Sequence, residues 1–193
     1  MASLHFKFAA MNSGKSTQLI QAHFNYIERG MHPLAMTPAC DSRYGNGIIG
    51  ARVGLKLEVA VFQKTTNLFE TVQTALQQHK IDVFIIDEGQ FLSREQVYQL
   101  ADVVDNLNIP VIVYGLKTDF KLEMFEGSYH LMCLADKVEE LKTICWCGNK
   151  AHLNARVSET GVVLREGEQV EIGGNERYVS LCRKHFMDGN ASR

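Results

Sequence analysis

Residues 4–16 read Leu4-His5-Phe6-Lys7-Phe8-Ala9-Ala10-Met11-Asn12-Ser13-Gly14-Lys15-Ser16, and this stretch decides the fold. Residues 4–9 carry a period-two pattern and predict a short strand. Over residues 16–29, Leu19, Ile20, His23, Phe24 and Ile27 recur near the 3.6-residue period of a helix, with Gly30 as C-cap and Pro33 soon after. A strand that runs through Ser13-Gly14-Lys15-Ser16 into a helix predicts a phosphate-binding loop over residues 9–16. Backbone N–H groups at the helix start point at phosphate oxygens. Gly14 permits close backbone approach, Lys15 supplies charge for the β- and γ-phosphates, and the Ser16 hydroxyl can ligate Mg²⁺. The full pattern begins with glycine. Ala9 stands there instead, so its φ must be open to a residue with a Cβ.

Working outward, residues 34–38, 59–62, 81–86 and 109–114 read as further strands, and 67–80 and 93–107 as helices. Ser93 and Gln96 match a capping box. Residues 40–56 carry four glycines and few apolar anchors, which is loop composition. Nearly continuous apolar strands between helices predict an α/β fold, P-loop NTPase-like, with a mostly parallel sheet and helices on both faces. The text changes near residue 143. Two units are expected: an α/β nucleotide-binding domain over 1–143 and a smaller unit over 144–193, which holds Cys145, Cys147, Cys182 and His185, a set suited to zinc, and whose turn signals at residues 159–161 and 166–167 read as hairpins.

The 193 residues are 46% apolar and 22% charged, which excludes intrinsic disorder. A net charge of −2 argues against a nucleic-acid binder. No run of 18 apolar residues predicts a membrane span, and the N-terminus lacks a signal-peptide layout. Five cysteines, two of them only two residues apart, fit a reduced, cytoplasmic compartment.

Asp87-Glu88 closes the buried strand Val83-Phe84-Ile85-Ile86, where ligands bind in open α/β sheets. Asp87 suits Mg²⁺, and Glu88 suits a general base or the orientation of water. On an ideal strand the two would point oppositely. These residues alone support a phosphotransferase or an ATPase. Cys145, Cys147, Cys182 and His185 offer three thiolates and an imidazole, a set for tetrahedral structural Zn²⁺; a Cys145–Cys147 redox pair is the alternative. Trp146 is expected to pack over that site. Cys40 and Cys133 fit no cluster and read as buried small side chains. Arg177, Arg183 and Lys184 near the metal set would suit a nucleic-acid zinc module, but Glu166, Glu168, Glu171 and Glu176 interrupt the basic footprint.

Residues 10–16, Asp41-Ser42-Arg43-Tyr44, residues 87–91 and 114–120, and Gly173-Gly174-Asn175-Glu176-Arg177-Tyr178 before Cys182 together resemble the small, zinc-containing thymidine kinases, most of all enterobacterial-type members. The resemblance covers nearly the whole chain. It implies transfer of the ATP γ-phosphoryl group to the 5′-hydroxyl of thymidine, with deoxyuridine a second acceptor. It further implies Mg²⁺, structural Zn²⁺ and a homotetramer, with no nucleic acid or membrane partner. The residues implied in catalysis are Glu88 as base, Lys15 and Arg43. ATP and Mg²⁺ would be held by Ala9, Ala10, Met11, Asn12, Ser13, Gly14, Lys15, Ser16, Thr17, Asp41, Asp87 and Gln90. Thymidine would be held by Met11, Phe91, Leu116, Phe120, Phe125 and Tyr178, with Val170, Glu171, Ile172 and Gly173 from a lasso-like loop. The same likeness assigns the zinc ligands Cys145, Cys147, Cys182 and His185. That loop runs into Cys182, so loss of zinc is expected to weaken thymidine binding more than Mg·ATP binding, the phosphate loop belonging to the other unit.

Overall fold

The computed structural model describes residues 1–169 and 177–191. The elements are β1 (Leu4–Phe8), α1 (Lys15–Glu28), β2 (Pro33–Pro38), β3 (Ile48–Gly50), β4 (Lys56–Glu58), β5 (Ala60–Phe62), α2 (Leu68–Leu76), β6 (Val83–Ile86), α3 (Arg94–Leu107) and β7 (Val111–Gly115). There follow α4 (Glu126–Leu134), β8 (Lys137–Glu140), β9 (Thr143–Ile144), β10 (Lys150–Ala151), β11 (Leu153–Val157), β12 (Val163–Leu164), β13 (Tyr178–Leu181) and α5 (Arg183–Met187). A 3₁₀ turn spans Gly89–Phe91.

Six strands form one sheet in the order β5-β2-β6-β7-β1-β8, parallel at every pairing. Alternate residues of the apolar strands feed two cores. Phe84 and Ile86 of β6, with Val111 and Val113 of β7, join Leu68, Val72, Val97, Leu100 and Leu131 from α2, α3 and α4. Val83, Ile85 and Tyr114 join Leu19 and Ile20 of α1 on the opposite face. Two-sided burial is why these strands lack polar alternation.

In α3, Val97 and Val103 are fully buried. Burying each is worth about 1.5–3 kcal/mol, which outweighs a helix-propensity cost of about 0.7 kcal/mol or less for a β-branched residue. Ser93 and Gln96 form the expected reciprocal capping box. Helix α2 stops at Leu76, short of the expected residue 80. Gln77, Gln78, His79 and Lys80 are exposed, so continuing the helix would bury nothing.

Residues 40–56 are not structureless. β3 and β4 form an antiparallel pair, and Ile49 and Ala51 are buried in the α1-side core. Gly50 is required there, because a Cβ would stand 2.2–2.5 Å from the Tyr44 ring. The sequence reading made no assignment for α4 or β8. β8 is Lys-Val-Glu-Glu with three exposed residues, an edge strand without an apolar signal.

Beyond residue 143 the pairing becomes antiparallel: β9 with β10, and a three-stranded sheet β12-β11-β13. Its core holds Cys145, Ala151, Leu153, Ala155, Leu181, Cys182 and Phe186. Among the described residues no helix is long and apolar enough to cross a membrane.

Candidate active site

The phosphate loop leaves β1 and ends at Gly14, whose φ of 80° is left-handed. A Cβ at Gly14 would meet nothing within 4 Å, so backbone conformation, not crowding by the protein, calls for glycine. Ala9 is absent from the positive-φ residues, which include Asn12 at 63°. Residues 11–17 line a cavity together with Arg43, Tyr44 and Arg52. Ala9 and Ala10 are buried beneath it, 2% and 3% exposed, and the Ala10 carbonyl accepts from Lys15 Nζ at 3.1 Å. Burial lowers the Lys15 pKa, against the pull of the Glu88 and Asp87 carboxylates. Three cationic side chains around one cavity suit a polyanion. Sequence reasoning gave Arg52 and Tyr44 no role, because glycine-rich loop text hides which side chains border a cavity.

The acidic pair lies beyond the end of β6. Glu88 has φ 50° and ψ 45°, a left-handed conformation that costs a non-glycine residue about 1–3 kcal/mol. Ideal strand alternation therefore does not set the directions of Asp87 and Glu88. Arg43 grips Asp41 with two hydrogen bonds, Nε to Oδ1 at 2.8 Å and Nη2 to Oδ2 at 2.7 Å. The same Nη2 donates to Glu88 Oε1, and Gln90 Nε2 donates to Glu88 Oε2. The Asp41 contact, opposed by burial and aided by Glu88, raises the Arg43 pKa, so it stays cationic. Gln90 Oε1 in turn accepts from the Leu116 N–H at 3.0 Å. Asp87 is 3% exposed and lines neither this cavity nor the next. Burial, then Glu88, pushes its carboxyl up to about 8. Asp87 Oδ1 and Ser13 Oγ are buried without hydrogen-bond partners. An orphaned carboxylate oxygen behind a phosphate loop fits a cation such as Mg²⁺, which would offset the charge that burial opposes.

A second, largely apolar cavity adjoins the first. All six described residues expected at the nucleoside line it: Met11, Phe91, Leu116, Phe120, Phe125 and Tyr178. Val170, Glu171, Ile172 and Gly173 lie outside the described residues. Asp41 and Gln90, expected at the nucleotide, line this second cavity. Met11, Arg43, Glu88 and Leu116 line both. Glu88 therefore stands at the junction of a cationic cavity and an apolar one.

Sequence reasoning missed Asn154 and Arg156, which are buried on β11. Arg156 donates to the Tyr178 hydroxyl from Nε at 3.1 Å and Nη2 at 2.7 Å, and its guanidinium lies 3.9 Å from the Phe120 ring centroid. It fixes two aromatic walls of the cavity. A polar residue at every second position of β11 was the available signal.

Cys145, Cys147, Cys182 and His185 place one ligand atom each within 4.8 Å of all the others. Cys145 Sγ and Cys182 Sγ lie 3.4 and 3.5 Å from His185 Nδ1, and Cys147 Sγ lies 4.0 Å from Cys182 Sγ. A tetrahedron with Zn–S near 2.3 Å has edges of about 3.8 Å, so the set fits Zn²⁺. Trp146 stacks on His185 with centroids 4.1 Å apart, over the site as expected. Cys40 and Cys133 are exposed, contrary to the expectation of burial.

The C-terminal three-stranded sheet also reaches the phosphate loop. Asn154 Oδ1 accepts from the Met11 N–H at 2.7 Å and Ser180 Oγ donates to the Met11 carbonyl at 2.5 Å. From β9, Thr143 Oγ1 donates to the Asn12 carbonyl at 3.1 Å. The phosphate loop is therefore not independent of the C-terminal sheet; that independence was the ground for expecting zinc loss to weaken thymidine binding more than Mg·ATP binding.

The sequence profile of the family described as thymidine kinase matches residues 2–186. A thymidine kinase of Aliivibrio fischeri is 53% identical over 188 residues, covering 97% of this chain and 98% of its own length. One of Mannheimia succiniciproducens is 52% identical over 186 residues, covering 96% and 95%. One of Haemophilus influenzae is 49% identical over 188 residues, covering 97% of each. With identity of this order over nearly the whole length of each chain, the chain belongs to the thymidine kinase family.

Proposed function

We propose that the chain transfers the γ-phosphoryl group of ATP to the 5′-hydroxyl of thymidine, giving dTMP, with deoxyuridine as a second acceptor. The observation that carries this reading is the position of Glu88 at the junction of the two cavities. The apolar cavity suits a flat, neutral nucleoside, and the cationic one a triphosphate. A 5′-hydroxyl presented from the first toward the second would meet Glu88. Arg43 and Gln90 each hold one of its carboxylate oxygens, so the carboxylate is oriented before substrate arrives, and it takes the hydroxyl proton late in the transfer. Lys15 and Arg43, two fixed cations at the phosphate cavity, stabilise charge on the transferring group. Ser16 and Asp87 would hold Mg²⁺, which when bound neutralises charge on the β- and γ-oxygens. Zinc on Cys145, Cys147, Cys182 and His185 would be structural. Four protein donors would satisfy its usual coordination number and so would leave no position for substrate.

We further infer two units, residues 1–143 and 144–193, a homotetrameric assembly and a cytoplasmic setting, on the resemblance. A coupled ADP-release assay with Mg·ATP against a panel of nucleosides tests the acceptor. Thymidine-dependent turnover is expected, and turnover without any nucleoside would point to an ATPase instead.

A further inference from the structure

The phosphate loop is tied down by the C-terminal sheet. Asn154 of β11 and Ser180 of β13 are partners in register and are 4% and 6% exposed. Between them they satisfy both polar groups of Met11, its N–H through Asn154 Oδ1 and its carbonyl through the Ser180 hydroxyl. Neither group can swing away without stranding a buried donor or acceptor. Met11 lines both cavities, so its placement sets where the phosphate loop begins relative to the nucleoside. On the other face of β11, Leu153 and Ala155 pack into the core that contains Cys145 and Cys182. The loop is thus referenced to the cysteine–histidine cluster through one strand.

We propose that Asn154 and Ser180 form a clamp that positions the phosphate loop, and that Ser180 is a positioning residue for the nucleotide, acting through Met11. This rests on the kinase reading above. Ser180 is the clean probe because it lines neither cavity, whereas Asn154 borders the nucleoside cavity.

Ser180→Ala removes the donor, and Ser180→Thr keeps it. Nucleotide affinity is measured by titration with a non-hydrolysable Mg·ATP analogue, and thymidine affinity by a separate titration. Zinc content and melting temperature are recorded beside the kinetic constants. Loss of one buried hydrogen bond predicts about a fivefold weakening of the analogue and a similar rise in KM for ATP. Thymidine affinity should stay within about twofold, zinc should be retained, and Ser180→Thr should restore nucleotide binding. Unchanged nucleotide affinity in Ser180→Ala would overturn the clamp. So would equal losses for both ligands accompanied by zinc loss, or a threonine variant no better than alanine. If wild type phosphorylates no nucleoside, the proposed activity fails, while the analogue titration still decides the clamp.

Discussion

Replacing Asp87 by asparagine keeps the shape of a buried side chain and removes its charge, and the consequence is read as stability against pH. Asp87 is 3% exposed, its Oδ1 lacks a partner, and burial reinforced by Glu88 pushes its pKa from 3.8 up to about 8. With a folded-state pKa above the unfolded one, the folded chain keeps a proton that the unfolded chain has released. This contribution is fully present below about pH 4, falls as pH rises, and is gone above about pH 8. Between about pH 6 and about pH 8 the loss integrates to about 2 kcal/mol. Urea unfolding of magnesium-free wild type should show that fall. Asp87→Asn should lack it, so that comparing the two removes the histidine titrations common to both. The assay needs fixed protein concentration and a buffer free of chelator, which would strip zinc. Added Mg²⁺ should recover wild-type stability near pH 8 and leave the variant unchanged, while phosphoryl transfer by the variant falls steeply. Equal pH slopes in the two proteins would refute the reasoning, since the proton would then reside elsewhere.

Three further outcomes are expected. Glu88→Gln should lower turnover by about 10²–10⁴ with little change in thymidine affinity, and wild-type turnover in single-turnover kinetics would remove Glu88 as base. Lys15→Ala should cut kcat by several orders of magnitude with the fold intact by circular dichroism; recovery at raised ATP would reduce Lys15 to a ground-state contact. Cys182→Ser should release zinc, read by elemental analysis. Because β11 and β13 hold Met11, and β13 also carries Tyr178 of the nucleoside cavity, it should weaken Mg·ATP and thymidine binding together in paired titrations; loss of thymidine binding alone would show the two sites uncoupled.

The N-terminal motif was legible because strand, loop and helix are local. The period of residues 4–9, the Ser-Gly-Lys-Ser run and the 3.6-residue spacing after it each rest on neighbours a few positions away. The capping box at Ser93 is equally local. The cysteine–histidine set was legible for a different reason. Few functions other than a metal gather three thiols and an imidazole in that spacing.

β8 left no such trace, since an edge strand of charged residues carries no apolar period. The glycine-rich segment read as loop, yet Ile49 and Ala51 are buried because α1 stands opposite them, a fact of packing across the chain. Nor could spacing reveal that Arg43, 45 residues from Glu88, would share a hydrogen bond with it, or that Asn154 would hold Met11 across 143 positions. Residue types and local periods determined which chemistry this chain carries and on what fold. Tertiary structure alone decided how that chemistry is oriented, because buried polar groups must find partners wherever folding brings them, and those partners lie far apart in sequence.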